Sequence, residues 1–175
     1  NIEVYKATQK QYSELSQIEE QLISGFKHYK YYFPEKNIPE IYAYVSRFNQ
    51  SIVTSNNILG IGLDKYLGKD CGYYQSLGLP KYMIRKMTEE MIAVDCMRGW
   101  ILSEFAFNSE NNDLISNMLY QAKIQYLLKT VFPEHQDSLL WGFKTGQLKW
   151  CKENEEHMWT YLIDNKLLFS KNHMD

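Results

Sequence analysis

The sequence predicts an α+β fold: a mostly helical single domain with a small antiparallel sheet or hairpin. Three observations lead there. Apolar residues recur at helical spacing through the first part of the chain and again after Thr88, the pattern of helices with one buried face. Between them lie three short runs rich in β-branched and aromatic residues, IYAYVSRF, IVT and ILGIGL, which suit strands. A length of 175 residues at 45% hydrophobic content is enough for one core without staples. No internal repeat, low-complexity tract or linker interrupts it, so residues 1–175 read as a single domain.

Ala7 to Phe33 is expected to be one helix, with Thr8 and Gln11 at capping-box spacing. Tyr12, Leu15, Ile18, Leu22, Phe26 and Tyr29 form its apolar stripe, and Pro34 stops it. Pro39 opens a strand over Ile41 to Phe48. Ile52 to Thr54 and Ile58 to Leu63 are extended pieces joined by Ser55-Asn56-Asn57, a hairpin turn because asparagine tolerates positive φ. Gly60 and Gly62 mark a close neighbour or a bulge. Asp64 to Met87 is too polar and glycine-interrupted to be one element, and a loop that long is functional or packed on the core. Thr88 would cap a helix with Glu89 and Glu90 in its first turn. Asp113 would cap a second, ending near Phe132 before Pro133, and Thr145 would start a last one through Leu148, Cys151, Glu155 and Leu162 to Asn165.

Composition narrows the function. A net charge of −2 with both signs interspersed gives no basic footprint for nucleic acid. No apolar run reaches the length of a membrane helix. The chain begins at Asn1 rather than Met, as a processed or trimmed product would. Cys71, Cys96 and Cys151 form no CxxC pair and read as small buried thiols, with a Cys71–Cys96 bridge open in an oxidising compartment. Tyrosine leads an aromatic share of 15%, which suits half-buried surfaces and interfaces.

The candidate sites are few. The glycines of ILGIGLDKYLG do not form GxGxxG and sit in a strand, so they are no phosphate cradle. Asp64 and Asp70 lack the ligand alternation of a calcium loop and read as solvated loop acids. Glu153 and His157, one turn apart, have no third ligand and read as an exposed pair. Cys96, in mid-helix, has no helix N-terminus to activate it. Asp95 and Arg98 are neighbours on a helix whose flanks (Val94, Met97, Trp100) are apolar, so they must be paired. Either they fix helix packing, or they face a groove with the hairpin and the long loop, which Gln121 would complete. A hairpin leading into two helices is also the skeleton of zinc peptidases. No histidine occurs between His28 and His135, though, so the ligands of a catalytic zinc are missing.

The run NILGIGLDKYLGKDCGYYQSLGLPKYMIRKMTEEMIAVDCMRGW resembles the GldB family, gliding-motility-associated lipoproteins of Bacteroidetes. The flanks KYYFPEKNIPEIYAYVSRFNQSIVT, NNDLISNMLYQAKIQYLLKTVFP and LKWCKENEEHMWTYLIDNKLLFS agree, so the likeness covers most of the chain. The family is similar, more remotely, to predicted zinc peptidases with an HExxH helix. By position, Val94 and Asp95 would replace the first His and the Glu, Arg98 the second His, and Gln121-Ala122 a downstream Glu-Gly.

The resemblance implies a zincin-like scaffold lacking the zinc site: a pseudo-peptidase with no cofactor and no metal. The chain would be the C-terminal part of a longer lipoprotein, joined to a membrane by an N-terminal lipid anchor that it lacks and exposed to the periplasm. It would serve gliding motility or the attendant secretion machinery without enzymatic activity, binding another envelope protein or a peptide in a peptidase-like groove. Tyr66, Tyr73, Tyr74 and Tyr82 would be the partner-binding anchors. The alternatives are a divergent hydrolase, metal-dependent or not, and a structural role in a homo-oligomer.

Overall fold

In the computed structural model, which describes residues 2–107, 110, 112–144 and 146–171, the first helical stretch is two helices, not one. Helix α1 spans Ile2–Gln11 and α2 Ser16–Tyr32. Thr8 is interior to α1 and its hydroxyl donates to the Val4 carbonyl at 2.8 Å, so the expected capping box does not form. The break falls after Gln11 because two side chains there reach a distant carbonyl. The Tyr12 hydroxyl donates to Tyr66 O at 2.5 Å and Gln11 Nε2 to the same oxygen at 3.3 Å. In α2 the predicted stripe holds: Ile18, Leu22, Phe26 and Tyr29 are buried.

The strands are β1 (Glu40–Tyr44), β2 (Ile52–Ser55) and β3 (Ile58–Gly62), in the order β1-β3-β2. β2 and β3 form the expected antiparallel hairpin, and Asn56 and Asn57 take positive φ (31° and 67°) in its turn. β1 pairs with β3 in parallel, from Glu40↔Ile58 to Tyr44↔Gly62. The sheet is therefore mixed rather than wholly antiparallel. β1 also ends short of the predicted Phe48, because Arg47 and Phe48 both adopt left-handed φ (60° and 62°). Gly62 permits this: a Cβ there would sit 2.2 Å from the Gln50 carbonyl oxygen.

The long tyrosine-rich stretch is ordered. A 3-10 turn (Leu63–Tyr66) leads to the short helices α3 (Gly72–Ser76) and α4 (Lys81–Ile84). Tyr74, Ile84 and Met87 form a small satellite core beneath them, with Phe48, Leu67, Cys71 and Leu79 against it. Thr88 is extended and makes no side-chain cap bond; a 3-10 turn (Glu89–Met91) intervenes before α5 (Ile92–Glu104). Gly99 of α5 lets β2 lie close, since a Cβ there would be 2.7 Å from Ile52 Cγ2.

By contacts the chain divides into two compact units, residues 1–103 and 104–175. In the second, Asp113 caps α6 (Leu114–Val131) as predicted, its carboxylate accepting from Ser116 N at 2.9 Å. The carbonyls of Ser170 and Leu168 take the amides of Leu114 and Ile115, which a helix start leaves open. A short α7 (Asp137–Trp141), not predicted, ends at the left-handed Gly142. The single last helix is instead two, α8 (Gln147–Glu153) and α9 (Glu155–Asp164), separated at Asn154. Its predicted start, Thr145, lies outside the described residues. Among those described, no helix is long and apolar enough to cross a membrane. The class is α+β, mostly helical, as the sequence predicts.

Candidate functional site

Helix α5 buries Ile92, Ala93, Val94, Cys96, Met97, Trp100 and Ile101, a helix apolar almost all round. Asp95, Arg98, Gly99 and Leu102 form its one half-buried stripe, at spacings of three and four. Val94 is therefore core, whereas Asp95 and Arg98 share a side. The Tyr66 hydroxyl donates to Asp95 Oδ2 at 3.0 Å, and Ser51 also bonds that hydroxyl. Burial pushes the Asp95 carboxyl above its usual range, opposed by the Tyr66 bond and then by the charges of Arg98 and Lys86. Burial lowers the Arg98 guanidinium, opposed by Asp95. The Tyr66 phenol is driven far up, by burial first and then by the Asp95 charge.

The second polar centre is Asp64, just after β3. Its side chain is buried (0% exposed), which corrects the expectation of a solvated loop acid. The carboxylate accepts from Ser46 N (2.7 Å), Ser46 Oγ (3.2 Å) and Phe48 N (2.5 Å), while Lys65 Nζ donates to Phe48 O at 3.2 Å. Asp64 and Lys65 together clamp residues 46–48 in a left-handed path that non-glycine residues seldom take. The Tyr74 hydroxyl donates to Asp64 O at 2.8 Å and accepts from Leu67 N at 2.7 Å.

Of the four predicted anchors, Tyr66 and Tyr74 are interior, 1% and 0% exposed, with their hydroxyls in the bonds just given. Tyr73 is half-buried, its ring 6.0 Å from that of Phe48. Tyr82 on α4 is 64% exposed. Gln121 is exposed on α6, in the second unit. Glu153 and His157 are exposed and fall on different helices, so they are not an i,i+4 pair; Glu153 instead meets Lys149 at 3.6 Å. All three cysteines are free, so Cys71 and Cys96 are not bridged. The Cys96 thiol is pushed far up by burial and then by Asp95, the reverse of an activated nucleophile. Among the described residues, no three or more His, Cys, Asp or Glu side chains come together to hold a metal ion.

Chemically, then, these two carboxylates are held by the protein's own donors: Asp95 by the Tyr66 hydroxyl, Asp64 by the 46–48 turn. A surface of another kind lies over the satellite core. There Tyr82, Leu77 (53% exposed) and Met83 (40%) point out from the same segment that points Tyr74 in.

A family model described as gliding motility protein GldB matches residues 1–175, and the chain belongs to that family. It is a family of cell-envelope lipoproteins associated with gliding motility rather than one of known enzymes. No curated protein and no solved structure gives a match.

Proposed function

We propose that this chain is a non-enzymatic holding domain, which binds a protein or peptide partner of the gliding or associated secretion machinery. A lipid anchor keeps it at the membrane, facing the periplasm. Val94, Asp95 and Arg98 stand, in this reading, where a peptidase helix would carry its ligands, and they serve packing instead. The observation that carries the proposal is the exposed apolar group Leu77, Tyr82 and Met83, with Tyr73 beside it, on a segment anchored from beneath by Tyr74. Exposed apolar clusters on a rigid base mark contact surfaces, and tyrosine is a frequent hot spot there.

The test is crosslinking capture from native envelope by the lipidated protein carrying Tyr73→Ala and Tyr82→Ala together. Capture of the partner seen with the unaltered protein should fall while the urea midpoint stays put. Lower stability with unchanged capture would mean the rings only pack the segment. Tyr74→Ala is the contrasting control: it should cost about 3–5 kcal/mol, as large-to-small changes at buried aromatics do.

A further inference from the structure

The open edge of the sheet and the groove beside it meet the requirements of a different, more specific contact. Every residue of β1 is exposed, and β1 pairs on one side only, with β3. The Glu40 amide donates to Asn57 O at 2.9 Å, so Glu40, Tyr42 and Tyr44 turn their main-chain groups toward β3. By the alternation of a strand, those of Ile41 and Ala43 point out from the edge. Proteins blunt such edges with lysine, proline or a bulge. EIYAY has none of these.

The side chains of Ile41 and Ala43 floor an apolar cleft of about 500 Å³, whose wall is α2 with Ile23 and Phe26. Ile23 is 54% exposed, although it sits on the side of α2 that faces this cleft. The 33–39 connection joins the end of α2 to the start of β1. Tyr12, shortly before α2, bonds Tyr66 O, shortly past the end of β3, which is parallel to β1, so helix and strand run in opposite directions. Lys27 then lies toward the start of β1 and Glu19 toward its end, and both line the cleft. Eight helical residues apart, the two charges are separated by about 12 Å, the reach of three to four extended residues. Neither has an ion-pair partner among the described residues.

We infer that this groove takes an extended peptide segment of the partner as an added strand. Outward main-chain groups of Ile41 and Ala43 select polypeptide, because a small apolar molecule would leave them unsatisfied. The cleft accepts alternate apolar side chains. The end charges select an acidic flank at Lys27 and a basic flank at Glu19. For antiparallel addition the occupant therefore carries its basic residue N-terminally and its acidic residue C-terminally. This rests on the holding reading above, and names a second contact surface for it.

The probe is a synthetic peptide of alternating Val and Thr, with Lys at its N-terminal and Glu at its C-terminal flank. Binding to the full chain is read by fluorescence anisotropy. Its twin is N-methylated at alternate amides. The unmodified peptide should bind, the twin and the charge-reversed peptide should bind at least tenfold more weakly, and Ala43→Pro and Ile23→Lys should each weaken binding tenfold or more. Ala43→Pro removes an outward donor and leaves the β1–β3 ladder intact. If it unfolds the chain, Ile23→Lys, a surface change, carries the result. Absence of peptide binding, or equal binding by the twin or the variants, overturns the inference. So does self-association that Ile23→Lys abolishes, which would make the occupant a second copy. Envelope capture separates the two readings: a partner still captured by Ile23→Lys removes only this groove, whereas no capture by the unaltered protein removes the holding function itself.

Discussion

Replacing Asp64 by alanine tests whether one buried carboxylate sets the path of the chain between β1 and β2. The substitution removes the acceptor of the Ser46 and Phe48 amides, charge-assisted bonds of about 1.5–3 kcal/mol each. Against that loss stands the relief of two left-handed residues, Arg47 and Phe48, at about 1–2 kcal/mol each where the freed turn relaxes. The net expectation is a loss of about 1.5 kcal/mol. With a urea slope of about 2 kcal/mol/M, the midpoint should fall by about 0.75 M. The assay is urea unfolding followed by tryptophan fluorescence and circular dichroism. A companion change separates the clamp from mere burial. Arg47→Gly should stabilise the native chain by up to about 1 kcal/mol, since glycine tolerates φ 60°, and should give no gain once Asp64 is alanine. A midpoint shift under about 0.3 M, or additive effects of the two changes, would refute the clamp.

Other outcomes follow from the same geometry. Gly62→Ala should cost about 3 kcal/mol, because its Cβ meets a backbone oxygen, while a Cβ at position 60 comes closest to the Tyr44 ring, at 3.1 Å, with Val53 Cβ at an ordinary 3.7 Å, and Gly60→Ala should cost under about 1 kcal/mol in the same titration. Iodoacetamide should modify Cys71 and Cys151 in the native chain but Cys96 only after denaturation, as mass spectrometry of peptides will show. The folded chain raises the carboxyl of Asp95, so this group's stabilising contribution is complete below the unfolded pKa near 4 and is lost as pH rises through the higher folded value. Asp95→Asn should therefore gain on wild type as pH climbs from 4 toward neutrality; a difference that is flat with pH contradicts the burial of that charge.

How much of this was legible in the sequence depended on range. The α2 stripe and the Asp113 cap are local, readable from spacing alone, and both stand. So does the Asn56-Asn57 turn. The break between α1 and α2 was not legible, because its cause is the Tyr66 carbonyl, 54 residues from Tyr12. The parallel partnership of β1 is invisible to a pattern that records alternation but not neighbours. Asp95 and Arg98 could be paired by helical spacing, yet the hydroxyl that holds Asp95 comes from 29 residues away. Asp64 reads as solvated from sequence because loop acids usually are, yet it is buried. The available signal was its position straight after the buried run of β3 and Leu63. For the tyrosines, composition could say that some would be half-buried, but only packing sorts Tyr66 and Tyr74 inward from Tyr82 outward.

The most direct measurement places a photo-crosslinking residue at Tyr82, and separately at Ile23, in the lipidated protein in its native envelope. The account predicts a light-dependent adduct with a discrete polypeptide from both positions, and none from a buried position such as Leu59. Empty lanes at both surface positions in an envelope that still supports motility, or cleavage of the crosslinked peptide by the purified chain, would contradict a domain that holds its partner without reacting with it.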